Sequence, residues 1–307
     1  MTALILEQVL NGLQLGVLLF LIAAGLTLIF GVMDFINLSH GSLFMLGAYL
    51  AVLFQGLTGS FFLTVLLAGL GVCVVGLLCE LLLVRRLYDR SHLDHVLVTY
   101  GLILVANEAV SIIWGSSPLF SGIPPELSKL VTLPLGISYP VYRLLVIAVG
   151  IAVAALLFWL VKETRVGMRV RAGATNRTIV AVMGVNISLL FTLVFAFGAF
   201  LAGLAGALAG PILSVQPGMG ETVLILSFVV VVIGGLGSIK GALLAAVLVG
   251  LIDTMGRAFL RDFLSAFFSP RVASEAGPAL ASMLVYILMV LILFFRPEGL
   301  LPMQKRS

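Results

Sequence analysis

Charge is what this sequence has least of. Only 10% of its 307 residues are Asp, Glu, Lys or Arg, against about 25% in ordinary soluble domains. Apolar residues make up 62%, and mean hydropathy is +1.26. No soluble fold hides that much apolar surface, so lipid is the solvent for most of the chain. No Lys or Arg precedes the first apolar run, and that run is too long for a leader, so no cleavable signal peptide is expected. Cysteine is nearly absent. Cys73 and Cys79 share one apolar run and read as packing thiols, not as a disulfide or a metal site. No Cys/His cluster has metal spacing, so no metal is expected. Strand-like domains, low-complexity segments and an ATP-binding cassette are also missing. The net charge of +4 calls for no nucleic acid, because basic residues on membrane proteins mark cytoplasmic loops.

What is present is a series of long apolar runs without the dyad alternation of barrel strands. A helix needs about 20 apolar residues to cross hydrocarbon. The spans fall at 8–32, 42–56, 61–84, 96–114, 141–161, 187–210, 222–256 and 279–295. The run 222–256 is too long for one crossing and is interrupted by GGLGSIKG, so it reads as two shorter helices, 222–234 and 241–256. The expected fold is an all-α polytopic membrane protein of about eight transmembrane helices, with broken or half helices near 33–41 and 234–241. Residues 1–307 read as a single transmembrane domain. Arg85, Arg86 and Arg90 crowd one loop, Lys162 to Arg177 another, and Arg296, Lys305 and Arg306 the tail; all three should be cytoplasmic. The loop 115–140 then lies outside, as does 257–278, despite Arg257, Arg261 and Arg271. The N-terminus is outside if 42–56 completes a crossing and inside if it does not. Gly198, Ala202, Gly206 and Gly210 form a ridge of small residues, echoed by Gly12 and Gly16, suited to packing within the chain or against another subunit. Trp114 and Trp159 suit the interfacial aromatic belt.

Several polar stretches carry possible chemistry. The loop 162–186 holds five basic residues and then a short apolar stretch. A positive-inside loop needs only the arginines. The rest reads as a short helix from Thr175 to Met183, capped by Thr175 or Asn176 and stopped by Gly184. Such a helix is either an interfacial anchor or a knob for a cytoplasmic partner. The glycines of 233–242 do not make a phosphate loop, because Ile239 and not glycine precedes Lys240. They read as a helix break facing a cavity or a partner helix. Of the intramembrane acids, Glu80, which can snorkel toward the cytoplasmic face, and Asp253, near an outer helix end, read as solvated or paired structural acids, and Glu108 is a functional candidate. His92 and His95 read as solvent-facing. No acid pair and no Ser/His/Asp set argues for an enzyme. Most conspicuous is VMDFINLSHGSLFMLGAY, residues 32–49, a polar knot between two apolar runs. Asn37 or Ser39 can cap a helix there with His40 held by backbone, or 34–41 can be a broken helix lining a path.

That knot, GVMDFINLSHGSLFMLGAY, resembles the N-(F/L)-(A/S)-H-G…GAY signature of permease subunits of ABC importers for branched-chain amino acids. Glu80 with Arg85-Arg86 and TYGLIL, GMRVRAGATNRTIVAVMGVN with FAFGAFLAGLAGAL, GGLGSIKGALLAAVLVGLID, and FRPEGLL resemble further signatures of the family, in order along nearly the whole chain. The chain departs from the pattern at Leu87 and Lys240, where the family usually has proline, and at Thr175 to Arg177, where it usually has an acid.

The resemblance implies a permease subunit that forms half of a translocation path for branched-chain or other hydrophobic amino acids, or related solutes such as urea and amides. It implies the bacterial inner membrane. The expected partners are a second permease, homologous or identical, two cytoplasmic ATPases and an extracytoplasmic binding protein. The chain itself would carry no cofactor; ATP and magnesium would be bound by the ATPases. The expected coupling residues are Arg169, Arg171, Thr175, Arg177, Met183 and Gly184. The expected path or gate residues are Asn37, Ser39, His40, Gly41, Glu108, Gly235, Gly237 and Ser238. The competing expectation is a secondary transporter or channel working alone, marked by paired mid-depth charges and an inverted repeat. Neither mark is evident in the sequence.

Overall fold

A computed structural model describes residues 2–133, 136–175 and 177–302, without the side chains of Arg177 and Thr178. Eleven helices run in the order α1 (Thr2–Met33), α2 (His40–Thr58), α3 (Phe61–Leu82), α4 (His92–Trp114), α5 (Val141–Glu163), α6 (Arg165–Thr175), α7 (Arg177–Val182), α8 (Ile187–Ala209), α9 (Met219–Gly234), α10 (Ile239–Ser265) and α11 (Pro270–Phe295). A 3₁₀ turn, Val84–Leu87, follows α3. A small antiparallel hairpin, β1 (Leu130–Leu133) with β2 (Ile137–Pro140), sits in the loop after α4. Eight helices are long and apolar enough to cross a membrane, and α9 is a shorter apolar helix. The chain is a multi-pass, all-α membrane protein.

Burial sorts the helices. In α1, 83% of the most apolar window is buried, against 11% in α11 and 17% in α4. The central helices α1 and α8 therefore carry the core, while α4, α5 and α11 turn apolar side chains outward, as helices facing lipid or another membrane chain do. Small residues make the centre. Gly25 of α1 lies against Gly198 of α8, and Gly206 of α8 against the Phe44 carbonyl of α2. The small-residue ridge is thus consumed within the chain, and Gly12 and Gly16 likewise pack on α10 at Leu251 and Ala246.

The sides of the bundle follow from these contacts. Asn11, near the start of α1, accepts hydrogen bonds from Tyr139 and Arg143, at the outer loop and the start of α5. The end of α1 meets α6, with Val32 and Leu190 beside Gly173. Taking the arginine-rich loops as cytoplasmic, α1 enters from outside. The crossing expected at 42–56 starts deep in the membrane, because the His40 ring lies beside Gly25, about two turns or ~12 Å above the end of α1. Residues 34–39 climb to that level in a non-helical conformation.

The second half mirrors the first. After α8 reaches the outside, 210–218 turns back inward, pairing Val215 with Leu119 on the way. Helix α9 then begins at Met219, and the backbone of Gly220 touches Gly41 at the start of α2. Helices α1–α4 correspond to α8–α11 in reverse orientation. Thus α2 packs on α8 and α9 on α1; α3 on α8 and α10 on α1; α4 on α2 and α11 on α9. The self-paired contacts, Gly25 with Gly198 and Gly41 with Gly220, lie where such a two-fold axis must pass. The inverted repeat not evident in the sequence is therefore present in the fold. The halves share a helix plan and little sequence beyond Gly-Ser before α3 and α10.

Glu80 and Asp253 are each paired with an arginine. The snorkelling expectation for Glu80 is corrected: it is fully buried. It accepts from Arg85 at 3.3 and 3.4 Å and from the Tyr88 hydroxyl, and Arg85 in turn donates to Thr192 of α8 at 2.7 Å. A buried carboxylate is stable only with such partners. The bond to Glu80 holds the Arg85 pKa above its ordinary value, while burial and then Glu80 push that of Tyr88 up. Asp253 binds Arg257 through both oxygens at 2.8 and 2.9 Å, and Arg271 meets Glu275 at 3.3 Å. These pairs offset the basic residues that made 257–278 an awkward outer loop. His95 is buried and not solvent-facing, with Nε2 2.8 Å from the Leu87 carbonyl and its ring on Phe35.

Candidate functional site

The polar knot lies at the inner approach to the meeting point of α2 and α9. Asn37 and His40 are fully buried and Ser39 is 8% exposed. Ser39 stands at the N-cap position of α2, yet its hydroxyl donates to Asn37 Oδ1 at 2.7 Å and makes no cap bond. The Ser39 carbonyl accepts from Ser42 and Leu43 instead. Thr99 of α4 accepts from the Leu38 amide at 3.2 Å and pins the strand of the knot. Asp34 adopts a left-handed backbone (φ 53°) where the chain leaves α1. Asn37 Nδ2 and both His40 ring nitrogens have no hydrogen-bond partner; the ring faces the Ile22 backbone without a well-formed bond. Unpaired polar atoms at this depth are costly.

Across the contact, α9 begins with Met219, Gly220 and Glu221. Asn107 of α4 bridges this turn. Its amide donates to Glu221 Oε1 at 2.5 Å, and its carbonyl oxygen accepts from the Gly218 amide at 3.2 Å. Glu221 Oε2 is buried and unpartnered. The carboxylate sits in the first turn of α9, where the helix dipole favours an anion. Two helix N-termini, those of α2 and the shorter α9, thus converge inside the membrane, with unpartnered polar atoms on one side and a carboxylate on the other. Beside them, an apolar cavity of about 260 Å³ rises from Ser39 and Ser42 to Trp114, between α2, α3 and α4.

The other sequence candidates lie elsewhere. Glu108 points outward from α4 and is exposed; its neighbour Asn107 is the residue that reaches in. Gly235, Gly237 and Ser238 are at the cytoplasmic end. There Gly237 packs against Gly31 of α1, and Ser238 caps α10 by accepting from the Gly241 amide at 3.1 Å. The last carbonyls of α9, Ile233 and Gly234, accept from Leu300 and Leu301, so the C-terminal FRPEGLL stretch closes this break. These three residues hold a joint. The sequence reading missed Gly220 and Glu221 because it began the helix at 222, and it chose Glu108 over its neighbour Asn107. The available signal was Pro217-Gly218-x-Gly220 followed by an acid, a helix start after a break.

The 162–186 segment forms two surface helices, where one was expected. The expectation of Thr175 as a helix cap is corrected: Thr175 ends α6, and its hydroxyl bonds back to the Arg171 carbonyl at 3.0 Å. Asn176, the other cap expected, lies outside the described residues, as does the Arg177 side chain. Gly167, Val170 and Gly173 bury one face of α6, while Arg169 and Arg171 lie on the exposed face. Arg171 donates to the Val161 carbonyl at the end of α5. Gly184 has φ +83°, and the Val185 amide bonds to the Val180 carbonyl at 3.3 Å, the closing bond of a Schellman turn. Asn186 then caps α8 by accepting from Leu189 at 3.0 Å. Val182 and Met183 are left 84% and 76% exposed on the side that faces the cytoplasm. Large exposed apolar side chains mark a contact surface, for the membrane interface or for another chain.

Known proteins place this architecture. The family model described as branched-chain amino acid transport system / permease component matches residues 8–293. The high-affinity branched-chain amino acid transport system permease protein BraD of Pseudomonas aeruginosa is 27% identical, over 96% of this chain and 95% of its own. Permease protein LivH of Salmonella typhimurium is 26% identical at the same coverage. The probable LivH of Methanocaldococcus jannaschii is 25% identical over 78% of this chain and 76% of its own. No solved structure matches the chain. With a family match across almost its whole length, the chain belongs to the branched-chain amino acid transport permeases.

Proposed function

We propose that this chain is the permease subunit of an ATP-driven importer in a bacterial inner membrane. It forms half of a translocation path for branched-chain or other small hydrophobic amino acids, with urea and short amides as related solutes. It is a transport subunit and not an enzyme. A second permease, identical or homologous, completes the path. A binding protein delivers solute from outside, and two cytoplasmic ATPases supply the energy, with ATP and magnesium bound there.

One observation carries this reading. Helices α6 and α7 form a cytoplasmic ledge tied directly to α1, α5 and α8. Two of those helices, α1 and α8, hold the crossing of the half helices. A push on the ledge therefore reaches the knot through rigid elements, as alternating access by rocking requires. At the knot, Asn37, Ser39, His40 and Gly41 line the gate, and the unpaired donors offer a passing solute temporary bonds. Asn37→Ala and His40→Ala should each cut uptake about tenfold, or ~1.4 kcal/mol, with the assembly still intact. Unchanged uptake would sink the gate role.

The inverted repeat favours a second reading, an ATP-independent transporter. Charges paired at mid-depth would be its other mark. Glu80–Arg85 lies instead at the cytoplasmic end of α3, and Asp253–Arg257, in the middle of α10, sits about level with Gly12 in the outer part of α1. Mild purification from native membranes separates the two readings. Co-purifying ATPases, a permease and a binding protein, with ATP-dependent uptake in vesicles, are expected. A chain that purifies alone and transports without ATP would establish the second reading.

A further inference from the structure

A cavity of about 560 Å³ opens at the cytoplasmic end of the bundle, between α1, α5, α6 and the start of α10. Leu28, Val32, Phe158 and Val170 make its walls. Three cations, Lys162, Arg171 and Lys240, contribute to its lining, and no carboxylate does. Arg171 is fixed there by its bond to the Val161 carbonyl. Lys162 has Glu163 at 3.5 Å, both well exposed. Lys240 has no carboxylate at ion-pair distance among the described residues. It also stands in the first turn of α10, where the helix dipole disfavours a cation. The cavity thus gathers three cations from three helices, and only Lys162 has a carboxylate partner, outside the lining.

Its position decides what would answer. The slot lies where the apolar spans end and the basic cytoplasmic loop begins, at headgroup depth. A free inorganic anion has no use for apolar walls. A nucleotide or peptide would have to enter from the aqueous side past the cations and then bury polar groups against Leu28, Val32 and Phe158. An amphiphile with an anionic head and acyl tails satisfies both halves at once. We propose that this slot binds an anionic phospholipid, its phosphate at Lys162, Arg171 and Lys240 and an acyl chain along Leu28, Val32 and Phe158. Because the cations come from α5, α6 and α10, one bound headgroup ties the cytoplasmic ledge to the joint between α9 and α10. The lipid would act as a removable brace on the ledge.

The test is native mass spectrometry of the purified full chain, titrated with phosphatidylglycerol or phosphatidylcholine of matched acyl chains. Wild type should retain phosphatidylglycerol in clear preference. Lys240→Gln and Lys162→Gln should each weaken that retention about fivefold. Ala174→Trp, which fills the slot without touching a charge, should remove it in a folded protein. Equal retention of the two lipids, or unchanged phosphatidylglycerol retention in both lysine variants, would overturn the proposal. Displacement of the lipid by millimolar inorganic phosphate alone would overturn the acyl-chain half and make the site a plain anion site. Should the tryptophan variant misfold, the lysine variants decide the matter by themselves.

Discussion

Replacing Gly41 with valine is expected to abolish uptake and lower the thermal stability of the purified protein. A Cβ at Gly41 would lie 2.3 Å from the Gly220 carbonyl oxygen, and one at Gly220 would lie 2.3 Å from that of Gly41. Both obstacles are backbone in rigid helices, so neither can swing aside as a flexible side chain does. Relief requires the two half helices to separate by an ångström or so. That costs ~1–3 kcal/mol as overpacking and moves Glu221 relative to Asn107. Gly220→Val should behave the same way. Gly56→Val is the control: Gly56 lies on the same helix with nothing within 4 Å of a new Cβ. Thermal unfolding followed by fluorescence and uptake in vesicles read both effects. A Gly41→Val protein as stable and active as Gly56→Val would show that the helices do not meet as described.

The close contact also explains which parts of the structure the sequence announces. Spans are legible because a lipid-facing helix must be apolar along its whole length, and composition alone reveals that. The break at GGLGSIKG is legible because Gly235 and Gly237 need positive φ and interrupt an overlong run. The stop at Gly184 is legible for the same reason. The start of α9 is hidden. It is set by Gly220 against Gly41, residues 179 positions apart, and a tertiary contact leaves no local pattern. Glu108 and Asn107 show the same limit. They are neighbours, and only the helix's rotation decides that Asn107 faces Glu221 while Glu108 faces outward. Glu80 misleads for a further reason. Distance to a span end predicts snorkelling, but Arg85, Tyr88 and Thr192 converge on Glu80 and make burial tolerable. The inverted repeat escapes because packing direction, and not residue identity, is what the two halves share.

Loss of coupling without loss of the fold is the expected result of reversing charge on the ledge. Arg169→Glu combined with Arg171→Glu should reduce ATP-dependent uptake at least about tenfold, ~1.4 kcal/mol, and weaken ATPase association in pull-downs. Arg169 is exposed, so its substitution disturbs no packing. Arg171 gives up its bond to the Val161 carbonyl, which loosens α6 from α5. Gly184→Pro should be at least as damaging, by a different route. Proline holds φ near −65°, whereas Gly184 sits at +83° and donates its amide to the Ala181 carbonyl at 3.0 Å. The turn that directs the ledge into α8 cannot form, so a push on α7 no longer reaches the α1–α8 crossing. The control is Lys129→Glu on the outer loop, which changes charge equally on the far side of the membrane and should leave coupling alone. If the ledge variants bind ATPase and transport as wild type does, the ledge carries no force. The signal would then have to enter through the Arg85–Tyr88 turn, the other cytoplasmic connection joined to α8, by way of Thr192.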